Sequence, residues 1–583
     1  MRLIAFALLF VPTVWAPTLA VEPLAIEVIH GQTRESTLTA EAVVVEGIVT
    51  LVQRDHFWLQ APSSSSVPFA RHGLWVGSPG IPAVEPGDRV RVSGVVSAWQ
   101  RPGREDDLPI TRLNADAIET LSSGHDLPEP LAIGRGALAI PTELAPADMS
   151  QALRPEVYAL DFWTSLLGKR VTLTENHVVE PTSRFLDTWV VADSHHRHVN
   201  DQGVLLMYPD DENSDRVLVQ SNEFLRPDFP EFANIGDRFA AVTGVVHYDH
   251  GNFRIVAEHG LRLVAVSRPL PESSLQRTPE HLLIASYNVE NLNPVIESPN
   301  RVASVRNIDD AMGSGRMDAL GQQIVAQLNR PDIIGLQEIQ DDDGAEQTDV
   351  LSAEKTLAAL AEAILQAGGP NYRWIDYPPP SPGASGGQPG GNIRNAWLYD
   401  PDRVRLIEGS VREIEHSAFA GSRPPSVAEF EFNGHVLTLI NNHLSSKWGS
   451  SPTFGRQPRR VAAEDERLAQ AAKLRQAAEQ LVAQGALLVV VGDFNDHWYS
   501  PMMRLLTDPA EPGLYNLVES LPAEHRWTKI FEGNGQAIDH MLVNQALHGV
   551  AEFEIVHLNE LFARQAADHE PLLGRFHLPV AGN

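Results

Sequence analysis

The chain has 583 residues, 43% of them hydrophobic, which is length and apolar content for roughly three or more domains with sizeable cores. Its formal net charge of −30 excludes a protein that holds nucleic acid by bulk charge, so any polyanionic substrate must be met by a local basic patch or by metal ions. There is no cysteine, which excludes disulfides, thiolate catalysis and cysteine-based zinc sites.

Residues 1–20 read as a signal peptide. Arg2 precedes an apolar run from Leu3 to Ala16 that is too short to span a bilayer, and Thr18-Leu19-Ala20 offers small residues for cleavage. The expectation is export, to the periplasm or the extracellular space. From 40 to 121 short alternating strands follow one another, among them Val43 to Leu51, Phe57 to Gln60, Gly73 to Val76 and Arg89 to Val96. Strands at this spacing predict a small barrel or sandwich, and their order is similar to that of an OB-fold. Phe57, Trp58, Trp75 and Trp99 are either a base-stacking platform or simply the core of that barrel.

Residues 122–155, rich in Pro, Ala and Leu, read as a linker. From 156 to 266 the earlier pattern returns: Gly236-Asp237-Arg238 running into Thr243-Gly244-Val245-Val246 echoes Gly87-Asp88-Arg89 and Ser93-Gly94-Val95-Val96. This predicts a second OB-like β domain. His195-His196-Arg197-His198 within it is either a metal-binding group or a solvated loop.

Beyond 280 strands alternate with helices, the pattern of an α/β domain. Leu282 to Leu292 is a strand ending in polar residues, Met317 to Leu328 has helical apolar spacing, and Pro331 to Glu338 is a second strand. A helix is expected over 351–366. A Pro/Gly/Ser-rich loop, 378–392, leads to the strand beginning at Ile393-Arg394. Val436 to His443 is another strand, followed by a loop carrying Lys447, Arg456, Arg459 and Arg460 and by a long helix over about 462–484. Leu487 to Val491 is an apolar, mostly β-branched run that reads as a strand buried on both faces, ended by Gly492, with Asp493 and Asn495 at its mouth. Residues two apart in an extended chain share a side. Ile538-Asp539-His540 and Asp568-His569-Glu570-Pro571 complete the series.

Polar groups of the same few types thus recur at strand ends: Asn288, Glu338, His443, Asp493, Asn495, Asp539, Asp568 and His569. Any one of them could be a turn former or a satisfied core group. Together, in this order, the motifs Tyr287-Asn288-Val289, Leu336-Gln337-Glu338, Asn442-His443-Leu444, Gly492-Asp493-Phe494-Asn495, Ile538-Asp539-His540 and Asp568-His569-Glu570-Pro571 resemble the endonuclease/exonuclease/phosphatase superfamily, to which deoxyribonuclease I belongs. The resemblance covers about 280–578. The chain as a whole resembles exported bacterial nucleases of that superfamily.

The resemblance implies an α/β fold, a four-layer α-β-β-α sandwich, preceded by one or two all-β OB-like barrels. It also implies metal-assisted phosphoester hydrolysis with Mg²⁺ as cofactor, Mn²⁺ or Ca²⁺ being alternatives. Glu338, Asn288 and Asp568 would then serve the metal, with oxygen ligands suited to a hard cation. His569 would be the general base, oriented by Asp539; Asp493 and Asn495 would position water, phosphate or leaving group; His443 would act as acid or phosphate ligand. Arg394, Arg526 and Lys447 are candidate phosphate contacts, because guanidinium and ammonium groups suit phosphate oxygens. The stretch Ser445-Ser446-Lys447-Trp448 departs from the family by carrying Trp448 in place of glycine.

Three substrate classes fit this reading. The barrels and the basic loop favour nucleic acid, DNA or RNA. The acidic balance is compatible with a phosphatase or small-molecule phosphodiesterase. A lipid phosphodiesterase calls for an exposed apolar hairpin that the C-terminal half does not show, so no stable membrane partner is expected.

Overall fold

The computed structural model describes residues 22–62, 68–193, 196–222, 232–508 and 513–581; the expected signal peptide and His195 lie outside them. By internal contacts the chain forms two compact units. One comprises Met1–Trp99, Pro109–Glu129 and Leu166–Lys169, and the other Gln100–Leu108, Pro130–Ser165 and Arg170–Asn583.

In the first unit the strands Ala42–Gln53, His56–Gln60, Gly73–Gly77, Arg89–Trp99 and Ile110–Ser122 close into a barrel, the fifth lying between the third and the fourth. Alternate side chains, such as Val43, Val45, Val90 and Val92, fill its interior. The aromatic residues belong to the packing. Phe57 and Trp58 are wholly buried, Trp75 nearly so, and Arg112 lies over the Trp75 ring at 4.6 Å. Phe57, Trp58 and Trp75 are therefore not an open stacking face.

The second unit opens with an arrangement the sequence did not suggest. Seven strands between Leu131 and Ala257 form one sheet rather than a second closed barrel. Leu131–Ile133, inside the segment expected to be a linker, is its edge strand, paired in parallel with Arg170–Leu173. His196 and His198 do not converge on a common point. His196 Nε2 meets Asp215 Oδ2 at 2.8 Å and His198 Nδ1 meets Asn213 Oδ1 at 2.8 Å. Neither belongs to a metal-sized cluster among the described residues.

The C-terminal part is a four-layer sandwich. Its first sheet runs Arg373–Ile375, Arg394–Tyr399, Ile333–Ile339, His281–Leu292, Leu572–His577, Ala551–Ile555. The path through the second is Arg405–Leu406, Arg423–Phe432, His435–His443, Leu487–Asp493, Asp539–Val543, Tyr515–Asn516. Strand periodicity sorts the side chains into layers. Leu282, Ile284, Val489, Val491 and Met541 pack between the sheets. Leu283, Ala285 and Tyr287 face the helices Arg316–Gln322 and Glu354–Gln366. Leu488 and Val490 face Glu464–Ala483 and Pro501–Thr507 on the other side. Among the described residues no helix is long and apolar enough to cross a membrane.

Gly492 marks where the central strand gives way to the site. Its φ is +136°, and a Cβ there would sit 1.9 Å from the backbone oxygen of Asn442 on the neighbouring strand. Gly492→Ala is therefore expected to cost about 3 kcal/mol or more, because the clash is with backbone that cannot step aside. Urea unfolding of the two proteins measures it.

Candidate active site

Strand register builds the site. Asp493 pairs with His443 on one side and with Asp539 on the other, and His443 pairs in turn with Arg423. A guanidinium, an imidazole and two carboxylates thus stand in one row across four adjacent strands. Three of them continue the side of their strand that packs between the sheets: His443 after Leu437 and Leu439, Asp493 after Val489 and Val491, Asp539 with Met541. Asn288 does the same in the opposite sheet, following Leu282 and Ile284. Its Nδ2 donates across the gap to Asp493 Oδ2 at 3.3 Å.

Glu338 breaks the rule. Simple alternation would send it outward with Leu336 and Ile334. The pairing of its strand shifts register between Leu336 and Ile339, and Glu338 takes φ +63°. A bulge of this kind re-aims a side chain. Glu338 Oε1 accepts from Asn288 Nδ2 at 3.1 Å and lies 3.8 Å from His443 Nε2. Glu290, Asn291 and Asn495 also have positive φ, so left-handed non-glycine backbone gathers at this one edge of the sandwich.

His569 arrives from the turn before Leu572–His577. Its Nδ1 is 2.8 Å from Asp539 Oδ2, and its Nε2 is 3.8 Å from Asp493 Oδ2 and 3.9 Å from Asp568 Oδ1. The backbone on either side is clamped. Asn559 Nδ2 donates to the His569 carbonyl at 2.7 Å, and the Glu570 carboxylate accepts the N–H groups of Leu558, Asn559 and Glu560. Burial lowers the ring's affinity for a proton, but the Asp539 carboxylate outweighs it, and the pKa of His569 is pushed up to about 10. Burial, reinforced by Asp539, pushes Asp493 up to about 7. Asp568 is only half-buried; desolvation raises it, yet Lys529 and His569 draw it down to about 2.

Two of the positions expected to bind phosphate are engaged in structural contacts, and the third, Lys447, stays near the site. Arg394 is buried and committed to Asp376 at 3.0 Å, so it is a structural ion pair rather than a clamp. Arg526 lies over Trp498 at 4.9 Å and donates to the carbonyls of Leu521 and Glu519, fastening its own turn. Lys447 pairs with Asp496 at 3.0 Å, just past Asn495. Asn495 itself closes an Asx turn, its N–H on Asp493 Oδ1 at 2.8 Å, while its Nδ2 donates to the Leu444 carbonyl beside His443. Arg459 and Arg460 of the basic loop are tied to Glu212 and Asp106.

Three residues at the site had no motif to announce them. Arg423 is almost fully buried, and the charges of Glu338 and Asp493 oppose the burial that disfavours its own. Glu290 is pushed up to about 7 by burial and by Asp568. Lys529 Nζ donates to Asp568 Oδ2 at 2.5 Å and to its carbonyl at 2.9 Å. The Arg-Pro-Pro at 423 looks like an ordinary strand entry. Only the register with His443 would have pointed to Arg423.

The donor set fits a hard divalent cation. Glu338, Asp493 and His443 offer ligand atoms within 4.8 Å of one another, as do Asp493, Asp539 and His569. Asp568 Oδ1 is buried with no hydrogen-bond partner among the described residues. Asp493, a buried carboxylate whose ionisation burial opposes, and the unpartnered Asp568 Oδ1 are what a cation would relieve.

A sandwich that gathers acids and a histidine–aspartate pair at the ends of its two sheets has the groups that phosphoester hydrolysis requires. Residues 285–566 match the model of the Endonuclease/Exonuclease/phosphatase family, and this part of the chain is a domain of that family, a phosphoester hydrolase. Residues 132–267 match a domain of unknown function, DUF8508. Among solved structures, truncated TDP2 of Caenorhabditis elegans is 16% identical, with 51% of this chain and 98% of that chain covered and a TM-score of 0.34. The human nocturnin catalytic domain with bound sulfate is 14% identical over 52% and 96%, TM-score 0.35. A mannosyl-6-phosphatase of Bacteroides thetaiotaomicron is 19% identical over 50% and 98%, TM-score 0.34. A comparison with curated proteins gave no match.

The two arginines separate by experiment. Arg394→Met strands Asp376 and should cost about 3–5 kcal/mol of stability, with kcat/KM of the folded protein within about twofold. Arg423→Met should instead raise KM about tenfold or more, the loss of one hydrogen bond to a charged group. Urea unfolding and steady-state kinetics on both variants check this.

Proposed function

We propose that the protein is an exported, divalent-metal-dependent phosphodiesterase that hydrolyses nucleic acid. The observation that carries the chemistry is the level row Arg423, His443, Asp493 and Asp539, closed by His569 on Asp539 at 2.8 Å.

Glu338, Asn288 and Asp493, with Asp568 beside them, are the groups that would hold the cation. When bound, a hard divalent cation supplies charge that polarises a phosphoryl oxygen, steadies the leaving oxygen and offsets the high proton affinity of this acidic pocket. His569, its high proton affinity lowered when a cation is bound, would take the proton of the attacking water at Nε2, and Asp539 fixes the ring by accepting from Nδ1. Asp493, held by Asn288 and by the Asn495 N–H, orients that water toward phosphorus. His443, level with Asp493 and held by burial well below its ordinary pKa, would offer a neutral N–H to the leaving oxygen, and Arg423 would grip a non-bridging phosphate oxygen.

Nucleic acid as the substrate is supported by the five-stranded barrel, whose strand order suits an OB-like module of the kind that takes oligonucleotides. Export is inferred from residues 1–20. A second reading, a phosphatase for small substrates, is favoured by one observation: Arg459 and Arg460 are spent on ion pairs, which leaves little of the basic loop as a track for a long polyanion.

Supercoiled plasmid, bis-p-nitrophenyl phosphate and mono-p-nitrophenyl phosphate, each with Mg²⁺ or EDTA, decide between them. The proposal expects metal-dependent cleavage of the plasmid and the diester, and a loss of about 10²–10⁴-fold in kcat for His569→Ala. Intact plasmid alongside hydrolysis of the monoester would replace the nuclease with the phosphatase.

A further inference from the structure

The hairpin of Lys529–Phe531 and Asn534–Gln536 has two ends with different duties. Its root belongs to the active site. Thr528 Oγ1 accepts the N–H groups of Ile538 and Asp539, each at 3.1 Å, and the Thr528 carbonyl accepts from the Glu570 N–H at 2.7 Å. Lys529 holds Asp568 as described above. The root thus touches the chain on both sides of the His569–Asp539 pair.

The tip is held by another part of the molecule. Glu180 Oε2 accepts the Gly533 N–H at 2.5 Å, and Arg216 Nε donates to the Glu532 carbonyl. Asn213 Nδ2 donates to Asn534 Oδ1 at 2.8 Å, and Asn534 Nδ2 to the Glu212 carbonyl at 3.0 Å. Gly535 exchanges backbone hydrogen bonds with Leu205 and Met207 at 2.7 and 3.1 Å. A Cβ on Gly533, where φ is +79°, would meet Arg216, Trp189 and Val179 all at 3.2 Å. Val204, Leu206 and Ile235 bury Trp527 and Ile530 beneath. Every gripping residue here lies within 132–267, the domain with no assigned function.

Two three-residue strands joined by a turn do not hold their shape alone in water. A hairpin this short keeps the position of its root only if its tip is fixed. We propose that the 132–267 domain is a brace for the catalytic centre: by gripping the hairpin tip it sets Thr528 and Lys529, and through them Asp539, Asp568 and His569. Glu180, Asn213 and Arg216 are positioning residues for a reaction they never touch. The proposal rests on the His569 site being the catalytic one. The alternative is that the hairpin merely tethers the domain, in which case breaking the grip lowers stability and leaves turnover alone.

The test uses the full-length chain. Glu180→Leu removes the acceptor for the Gly533 N–H, Glu180→Gln keeps an oxygen there, and Thr243→Val is a control in the same sheet, breaking the 2.8 Å contact with Thr172 away from the hairpin. Two readouts are taken: kcat and KM on whichever phosphoester the unaltered protein hydrolyses, and amide-hydrogen exchange at Asp539 and Glu570. The brace predicts that Glu180→Leu lowers kcat about tenfold or more, as misplacement of reacting groups does, keeps KM within about twofold, and speeds exchange at both amides. Glu180→Gln restores all three, and Thr243→Val changes none even where its Tm falls equally. Unchanged kcat and exchange in Glu180→Leu overturn the brace, and so does an equal loss in Thr243→Val. Should Glu180→Leu not fold, Asn534→Ala answers the same question. If the unaltered protein hydrolyses no phosphoester, the catalytic reading fails, while exchange at Asp539 and Glu570 still decides the brace.

Discussion

Asp493 is a carboxylate where the two sheets meet, 2% exposed, with a second carboxylate level with it on the next strand. Such a pair is costly unless positive charge answers it. Everything near it can be understood as an answer. The Arg423 guanidinium stands in the same row, burial holds the His443 ring beside it well below its ordinary pKa, Asn288 donates from the facing sheet, and His569 pairs with Asp539. The remaining deficit of positive charge is the reason the site suits a divalent cation.

The scaffold makes this accuracy affordable. Side chains set by strand register move only if a sheet slips, and a one-residue slip would turn the whole row to the outside. The exceptions are placed with equal care. Glu338 faces inward because its strand bulges, and Asn495 turns back because its backbone is left-handed. Strained positions of this kind persist where surrounding structure holds them, here the Asn288, Asn291 and Leu444 contacts.

Much of this was legible in the chain itself. The β-branched run before Gly492 and the polar ends of its neighbours are local signals, and local signals survive into the fold. Asn288, His443, Asp493 and Asp539 converge because strand alternation, plain in the sequence, turns each of them between the sheets, His569 joins them from a turn, and Glu338 joins them only through the bulge of its strand. What could not be read were relations between distant segments. Arg394 looked like a phosphate ligand until Asp376 was placed beside it, and Arg423 looked like nothing until its strand was paired with that of His443. The repeat of Gly-Asp-Arg at 87 and 236 suggested two barrels. Only the first closes; the seven strands between Leu131 and Ala257 form an open sheet. Lys529 carries no local mark, and its meaning depends on Asp568 below it and on the domain that grips its hairpin.

Asp493 and Glu338, whose ligand atoms lie within 4.8 Å of each other, should form one cation site at the junction of the sheets. The most direct measurement is an Mn²⁺ titration of the full-length protein followed by electron paramagnetic resonance, beside Glu338→Gln. Free Mn²⁺ signal should be lost to the unaltered protein, and the variant should bind about tenfold or more weakly, as the loss of a ligand requires. Equal binding by the two proteins, or none by either, would contradict it.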